Sequence, residues 1–319
     1  MLAISRGRRI GHRLRSAVAL VGLAASVGLA GAARGSDRSG SELIAFDRTG
    51  KGERSDIYVI HPDGSGLRRV TFDGRSAEPA WSPDGQRIVF ARYAGSHGAV
   101  WIMNANGKAQ RLLTRRGNCD SPAWSPDGRT IVFVCGPDRG GADIYRIDAD
   151  GTHRTRLTGG GQRALSSEPV DNLDPRWAPS GREILFVSDR DSNAEIYVMD
   201  PSGGRQRGLT STVDDERLPD LSPDGRTIAF DSNRDSDSLD GSEIYSMSAG
   251  GGRQRRLTLN PKGNDTGPVW SPDGRRIAFA RQRPEQATSG IFLMNRNGSA
   301  ERQLTRGHLD ADPAWRPRT

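Results

Sequence analysis

The string Trp81-Ser82-Pro83-Asp84-Gly85 decides the fold, because it returns five times. Trp124–Gly128 and Trp270–Gly274 repeat it letter for letter, Trp177–Gly181 reads WAPSG, Leu221–Gly225 reads LSPDG and Trp315–Thr319 reads WRPRT. Successive anchors stand 43, 53, 44, 49 and 45 residues apart. Outward from each of the first five runs an apolar stretch: RIVFA, TIVFV, EILFV, TIAFD or RIAFA. A polar loop leads to a second stretch (VWIMN, DIYRID, EIYVMD, EIYSM or IFLMN), then a Gly-containing turn, then RLLT, TRLT, RGLT, RRLT or RQLT. Each unit predicts four short strands separated by turn residues. Four strands repeating at about 45 residues is the pattern of a β-propeller blade.

The two ends of the chain share one further unit. Residues 43–71 hold the last three strands of a blade without its WSPDG strand, and Asp312–Trp315 supply that strand with nothing after it. Pairing Asp312–Trp315 with Leu43–Phe46 completes a sixth blade and leaves no open sheet edge across the ring. The expected fold is all-β: a six-bladed propeller of four-stranded antiparallel blades over residues 42–319, closed by strands from both termini.

The pattern PxWSPDGxxIxFxS…DIYxMxxDG…RLT resembles the TolB-type propeller repeat, a WD-like repeat, over about residues 42–319. The resemblance implies a six-bladed propeller. TolB carries an α/β domain ahead of its propeller; with roughly ten residues between the expected cleavage site and the first strand, this chain is expected to lack that domain, so the propeller carries over and TolB's envelope role does not follow from it. Similar repeats form the lid propellers of prolyl-oligopeptidase-like enzymes. Here no G-x-S-x-G occurs, so the nucleophile elbow of such a hydrolase is not expected.

The formal charge of +7 invites a nucleic-acid reading, which fails once the charge is located. Arg6, Arg8, Arg9, Arg13 and Arg15 lie in residues 1–33 with no acid, leaving a body near neutrality without the basic footprint that phosphate binding needs. That basic start, the apolar SAVALVGLAASVGLAGAA and the small residues Ala30-Gly31-Ala32 predict a signal peptide over 1–33, followed by a linker over 34–41. Export to the periplasm or the exterior follows, with no stable membrane insertion after cleavage. Arg8-Arg9 leave the twin-arginine and general secretory routes both open.

The recurring motif residues have structural chemistry. Ser-Pro-Asp-Gly suits a type I turn in a three-residue hairpin loop, and Trp81, Trp124, Trp177, Trp270 and Trp315 are expected to pack between blades. Strand direction places the SPDG and DG turns on one short, uniform face. The longer loops 91–99, 134–143, 158–175, 188–195, 210–219, 231–243 and 280–290 lie on the other, where binding is expected. Acids precede or enter each innermost strand: Glu78, Asp120, Asp174 (with Asp171), Asp215 (with Asp214 and Glu216), Asp265, and Asp312 (with Asp310). They read either as caps on backbone N–H groups or as ligand-binding residues gathered at the channel mouth for a cation or a basic ligand.

The loop Asp189, Asp191, Asn193, Glu195 partly matches a calcium loop, but Ala194 replaces the sharp-turn glycine and Ser202 stands at the twelfth position. Asp235, Asp237, Asp240 and Glu243 form a second acidic loop. No cofactor and no metal is expected, Ca²⁺ at the first loop being the one exception its oxygen atoms leave open. His61, His97, His153 and His308 fall singly in turns and loops, two of them near the short-turn face, which argues against a histidine metal centre. Setting Ser125 opposite Arg129 makes paired residue numbers sum to 254, which places Cys119 against Cys135 at disulfide distance.

These residues favour an exported, non-enzymatic module that holds a protein, peptide or glycan on its loop-rich face. The alternatives are a propeller enzyme with a metal or acid/base centre at the channel mouth, acting on a glycan or lactone, and an accessory subunit of a separate hydrolase. No recognisable triad or phosphate loop supports catalysis.

Overall fold

The computed structural model describes residues 42–50, 52–114, 117–137, 141–159, 169–235, 241–260, 263–283 and 288–318. The expected signal peptide 1–33 and linker 34–41 lie outside them, as do Asp237 and Asp240.

The described strands form six four-stranded sheets. Blade 1 holds β1 (Ile44–Thr49), β2 (Ser55–Ile60) and β3 (Arg68–Arg69); blade 2 holds β4 (Ser76–Trp81), β5 (Arg87–Ala94), β6 (His97–Asn104) and β7 (Arg111–Leu112). Blade 3 is β8 (Asn118–Trp124), β9 (Thr130–Gly136), β10 (Asp143–Asp148) and β11 (Thr155–Arg156); blade 4 is β12 (Asn172–Trp177), β13 (Ile184–Ser188), β14 (Glu195–Met199) and β15 (Arg207–Gly208). Blade 5 comprises β16 (Glu216–Leu221), β17 (Thr227–Ser232), β18 (Glu243–Ser248) and β19 (Arg255–Arg256). Blade 6 comprises β20 (Asn264–Trp270), β21 (Arg276–Arg283), β22 (Thr288–Asn295) and β23 (Arg302–Gln303), and β24 (Leu309–Trp315) pairs antiparallel with β1 to finish blade 1. The first strands of the blades touch in succession, β24 to β4, β8, β12, β16, β20 and back to β24, so they form the inner ring.

Six apolar clusters hold the ring together, one at each seam. Trp81 packs with Ala45, Ile57 and Val59 of blade 1 and with Ile88 and Phe90 of its own blade. Trp124 likewise bridges blades 2 and 3, Trp177 blades 3 and 4, Trp270 blades 5 and 6, and Trp315 blades 6 and 1. Leu221 fills the same place between blades 4 and 5. The closing threonines tie the blades internally: the hydroxyl oxygens of Thr71, Thr114, Thr158, Thr210, Thr258 and Thr305 each accept the N–H of the residue at the start of the third strand's apolar run, at 2.8–2.9 Å.

The hairpin differs from the sequence expectation. Ser125 faces Thr130, not Arg129: its N–H donates to the Thr130 carbonyl at 2.9 Å, and Gly128 N–H to the Ser125 carbonyl at 2.9 Å. The loop therefore holds four residues, with Gly128 at φ +68°, because the Ser125 hydroxyl also accepts the Thr130 N–H and draws the strand one residue further. A β-bulge between Asp120 and Ala123 then shifts the register back, and Cys119 lies opposite Cys135. The two departures cancel. The cysteines are bonded to each other.

Candidate functional site

Every inner strand carries the same irregularity three residues before its anchor. Glu78, Ser121, Asp174, Leu218, Gly267 and Asp312 all have positive φ, between 48° and 61°, and each precedes a proline. The ladder to the second strand slips at each of these points. A bulge residue in the left-handed region frees its N–H from the ladder and re-aims the strand, and for a non-glycine it costs roughly 1–3 kcal/mol. Only Gly267 avoids that strain. The inner ring thus carries six left-handed bulges, five of them strained.

Carboxylates from the preceding blade take up some of the freed N–H groups. Asp47 Oδ1 accepts from Glu78 N–H at 3.4 Å, Glu78 Oε2 accepts from Ser121 N–H at 2.7 Å, and Asp231 Oδ1 accepts from Gly267 N–H at 3.2 Å. Glu78 Oε1 also accepts the Tyr93 hydroxyl at 3.0 Å. Sequence reasoning missed Asp47 and Asp231. Their signal was the ending of two second strands, IAFD, where the other blades end apolar.

Of the eight expected ligand-binding residues, Asp189 and Asp191 lie in the calcium-like loop, and the six acids of the innermost strands separate into groups. Glu78, Asp174 and Asp312 occupy equivalent bulge positions, and Glu78 and Asp312 meet Asp47 at the seam of blades 1 and 2. Asp120 lies one position earlier in its blade, half-buried opposite Val134. Asp215 sits before β16, where it accepts Ala194 N–H at 3.0 Å and pairs with Arg217 at 2.8 Å. Asp265 is fully buried and gripped by Arg281 through both oxygens, at 2.7 and 2.6 Å.

Asp265 belongs to a staple that recurs five residues before each anchor. The cross-strand partners there are Asp310 with Arg48, Ser76 with Arg92, Cys119 with Cys135, Asn172 with Ser188, Glu216 with Ser232, and Asp265 with Arg281. Two blades use an ion pair at this position and one uses the disulfide. In blades 4 and 5 an arginine two residues beyond the serine reaches back: Arg190 bonds Asn172 at 3.0 Å and Arg234 bonds Glu216 at 2.7 Å. One arginine per blade also lies over the aromatic pair of the second and third strands, for example Arg281 at 5.3 Å from Phe279 and 4.8 Å from Phe292. In blade 3, where Cys135 takes the usual position, Arg154 fills the role from the far side.

The calcium-like loop holds no gathered oxygens. Asp189 Oδ1 accepts Asp171 N–H at 2.7 Å, Asp191 accepts the Tyr197 hydroxyl, and Glu195 Oε1 accepts from Asn193 Nδ2 at 3.0 Å and Thr212 N–H at 2.6 Å. Among the described residues no group of three or more His, Cys, Asp or Glu side chains could hold a metal ion. Glu195 and Glu216 are both buried at the seam of blades 4 and 5. Burial, then the neighbouring Glu195, pushes the Glu216 carboxyl up to about 7 against the pull of Arg234 and Thr212.

These shifts set the pH dependence of stability. Burial raises Asp189 to about 6 and Asp220 to about 6, alongside Glu216. The folded protein holds these protons where the unfolded chain has released them, so stability rises as pH falls from 8 toward 5. Asp84, Asp127 and Asp224 act oppositely: the Ser hydroxyl beside each holds the carboxylate below its usual range. Their contribution is lost as they protonate below about pH 4. Calorimetry from pH 3 to 9 should show a melting maximum near about pH 5; a melting temperature rising steadily from pH 5 to 8 would contradict the assignment.

Six blades, closure by strands from both termini and an inner ring of bulges define a six-bladed β-propeller. The profile of the TolB beta propeller domain matches residues 38–169 and 157–319, and the chain belongs to that family. It is 29% identical over 146 residues to the Protein TolB homolog of Chlorobium luteolum, covering 46% of this chain and 31% of the relative. It is 37% identical over 54 residues to the Tol-Pal system protein TolB of Nitratidesulfovibrio vulgaris, covering 17% of this chain and 12% of that protein. The chain thus spans a third or less of these relatives. The crystal structure of TolB from Acinetobacter baumannii superposes with a TM-score of 0.73 at 22% identity, over 88% of this chain and 68% of that one, a likeness of fold.

Proposed function

We propose that this propeller is an exported, non-enzymatic binding module, working in the periplasm or outside the cell, that takes a protein, peptide or glycan on its loop-rich face. The observation that carries this reading is the placement of Glu78, Asp174 and Asp312 at equivalent bulges of the inner ring, with Asp47 and Asp120 beside them. Acids repeated around one mouth favour a ligand that offers lysine, arginine or an amino group. The exposed apolar side chains Phe72, Val213 and Leu259 follow the closing threonines and sit in the loops between blades, on the same face. They suit the apolar part of such a ligand. No helix among the described residues is long and apolar enough to cross a membrane. The similarity to a Tol-Pal system protein supports a protein partner among these ligand classes.

The test is neutralisation of the mouth. Asp174→Asn with Asp312→Asn should weaken binding of a lysine-rich peptide at least tenfold, remove most of its salt dependence and move the melting temperature by only a degree or two. Equal binding by variant and wild type would sink the proposal. Changes at Asp84 or Asp224 should do the reverse, since those carboxylates hold the SPDG turns through Ser82 and Ser222.

A further inference from the structure

The near-neutral sum of charges on the propeller conceals a separation between its two faces. The acids that enter the inner strands lie on the loop-rich side, whereas the short turns carry arginine. Directly after the SPDG-type turns of blades 3 to 6 stand Arg129, Arg182, Arg226 and Arg275, and all four are exposed. The second turns of blades 4 and 5 add Arg205 and Arg253, also exposed. Among the described residues none of these six side chains makes a hydrogen bond or an ion pair. Blades 1 and 2 do not continue the arc. Gln86 follows Gly85 in blade 2, and beyond the last strand of blade 1 Arg318 is paired with Glu42 and Asp273.

The acids of the same turns are spent within them. Asp127 Oδ1 accepts the Ser125 hydroxyl at 2.6 Å and Arg129 N–H at 3.0 Å. Asp224 takes the Ser222 hydroxyl and Arg226 N–H at the same distances, and Asp273 the Ser271 hydroxyl and Arg275 N–H. Asp200 Oδ1 accepts Ser202 N–H at 2.9 Å and Gly204 N–H at 3.0 Å. A carboxylate held against its own turn lies low, while an unbonded arginine carries its charge out on a long stem. The first and second turns of a blade lie side by side: Ala149 N–H bonds the Arg129 carbonyl at 2.8 Å, and Ala249 and Arg296 bond those of Arg226 and Arg275 at 2.9 Å. Repeated from blade to blade, these short turns set the arginines in a level arc, not in a groove.

We propose that this arc docks the propeller on an anionic lipid bilayer. Guanidinium groups pair with headgroup phosphates through two parallel N–H donors. A level arc meets a plane at many points, where a rod-shaped polyanion would meet two or three. Among the described residues no large apolar side chain is exposed in the arc, so contact stays at the headgroups without insertion. The acidic face is repelled by the same lipid, which holds the mouth away from the membrane and open to its ligand. The export proposed above bears only on which membrane is met; binding itself does not depend on it.

Arginine-selective labelling of the full chain with phenylglyoxal, read by mass spectrometry, maps the contact residue by residue and so separates it from any binding by the basic segment 1–33. With vesicles of phosphatidylglycerol and phosphatidylcholine, labelling of Arg129, Arg182, Arg226 and Arg275 should fall by about tenfold or more. Arg75 and Arg306, exposed in the loops between blades, should stay reactive. Vesicles of phosphatidylcholine alone, or salt at about 1 M, should abolish the protection. A chain carrying Arg182→Gln, Arg205→Asn, Arg226→Gln and Arg253→Asn should lose the protection at Arg129 and Arg275; asparagine suits positions 205 and 253, whose φ values are 51° and 55°. That variant should still take the lysine-rich peptide at the mouth, so failure here and failure there are separate results. Labelling unchanged by anionic vesicles, or equal protection of Arg75 and Arg306, would overturn the proposal. Stronger protection by duplex DNA or polyphosphate than by the vesicles would overturn it as well.

Discussion

A chain stopped after Leu309 will melt far below the full-length protein, by more than about 10 °C, and with a broadened transition. Deleting residues 310–319 removes the inner strand of blade 1 and three separate supports. Trp315 leaves the cluster formed with Ile44, Phe46 and Ile60 on one side and Ala278, Ile291 and Leu293 on the other; losing a buried Trp costs about 3–5 kcal/mol. Arg48, 9% exposed in the closed ring, loses its two hydrogen bonds to Asp310, each worth about 1.5–3 kcal/mol for a bond to a charged group. The unpaired edge of β1 then opens the ring. Against a total stability of about 5–15 kcal/mol these losses consume most of what holds the fold. Circular dichroism melts of the two chains decide it, and a difference of a degree or two would mean that closure by the termini is not what stabilises the ring.

Replacing both cysteines by serine should lower the melting temperature by several degrees. Cys119 and Cys135 close a loop with a sequence separation of 16, worth about 3 kcal/mol in the chain-entropy account. The staple position makes the loss local: blades 1 and 6 hold it with an arginine–carboxylate pair, whereas blade 3 would keep only two hydroxyls there, with Arg154 left over Phe133 and Tyr145. Loop 134–143 should loosen more than any other on that face. Mass spectrometry of unreduced, alkylated protein checks the premise: uptake of reagent by both cysteines would remove it.

The repeat made the blades legible because each strand's alternation is a local signal returning from blade to blade, and the SPDG turn is another, present in four of them. Closure was legible for the same reason, since the missing strand of one end was the surplus strand of the other. The bulges were not. A residue before proline is ordinarily extended, and nothing in Glu78-Pro79 or Leu218-Pro219 announces a left-handed turn; only the ring's geometry imposes it. Asp265 and Glu216 looked like channel acids because arginine partners 16 and 18 residues away, Arg281 and Arg234, are invisible without the pairing register. Asp47 and Asp231 escaped notice for the opposite reason, being single acids at the end of apolar strands whose targets lie one blade away.

The central claim is that ligands engage the acidic, loop-rich mouth and not the short-turn face. Panning a random peptide library against the folded protein, then mapping the best binder by hydrogen exchange, tests it most directly. The account predicts enrichment of lysine and arginine among the selected peptides, protection in loops 91–99, 188–195 and 210–219, and loss of binding in the Asp174→Asn, Asp312→Asn variant. Peptides without basic residues, or protection confined to the turns at Ser82–Gly85, Ser125–Gly128 and Ser271–Gly274, would contradict it.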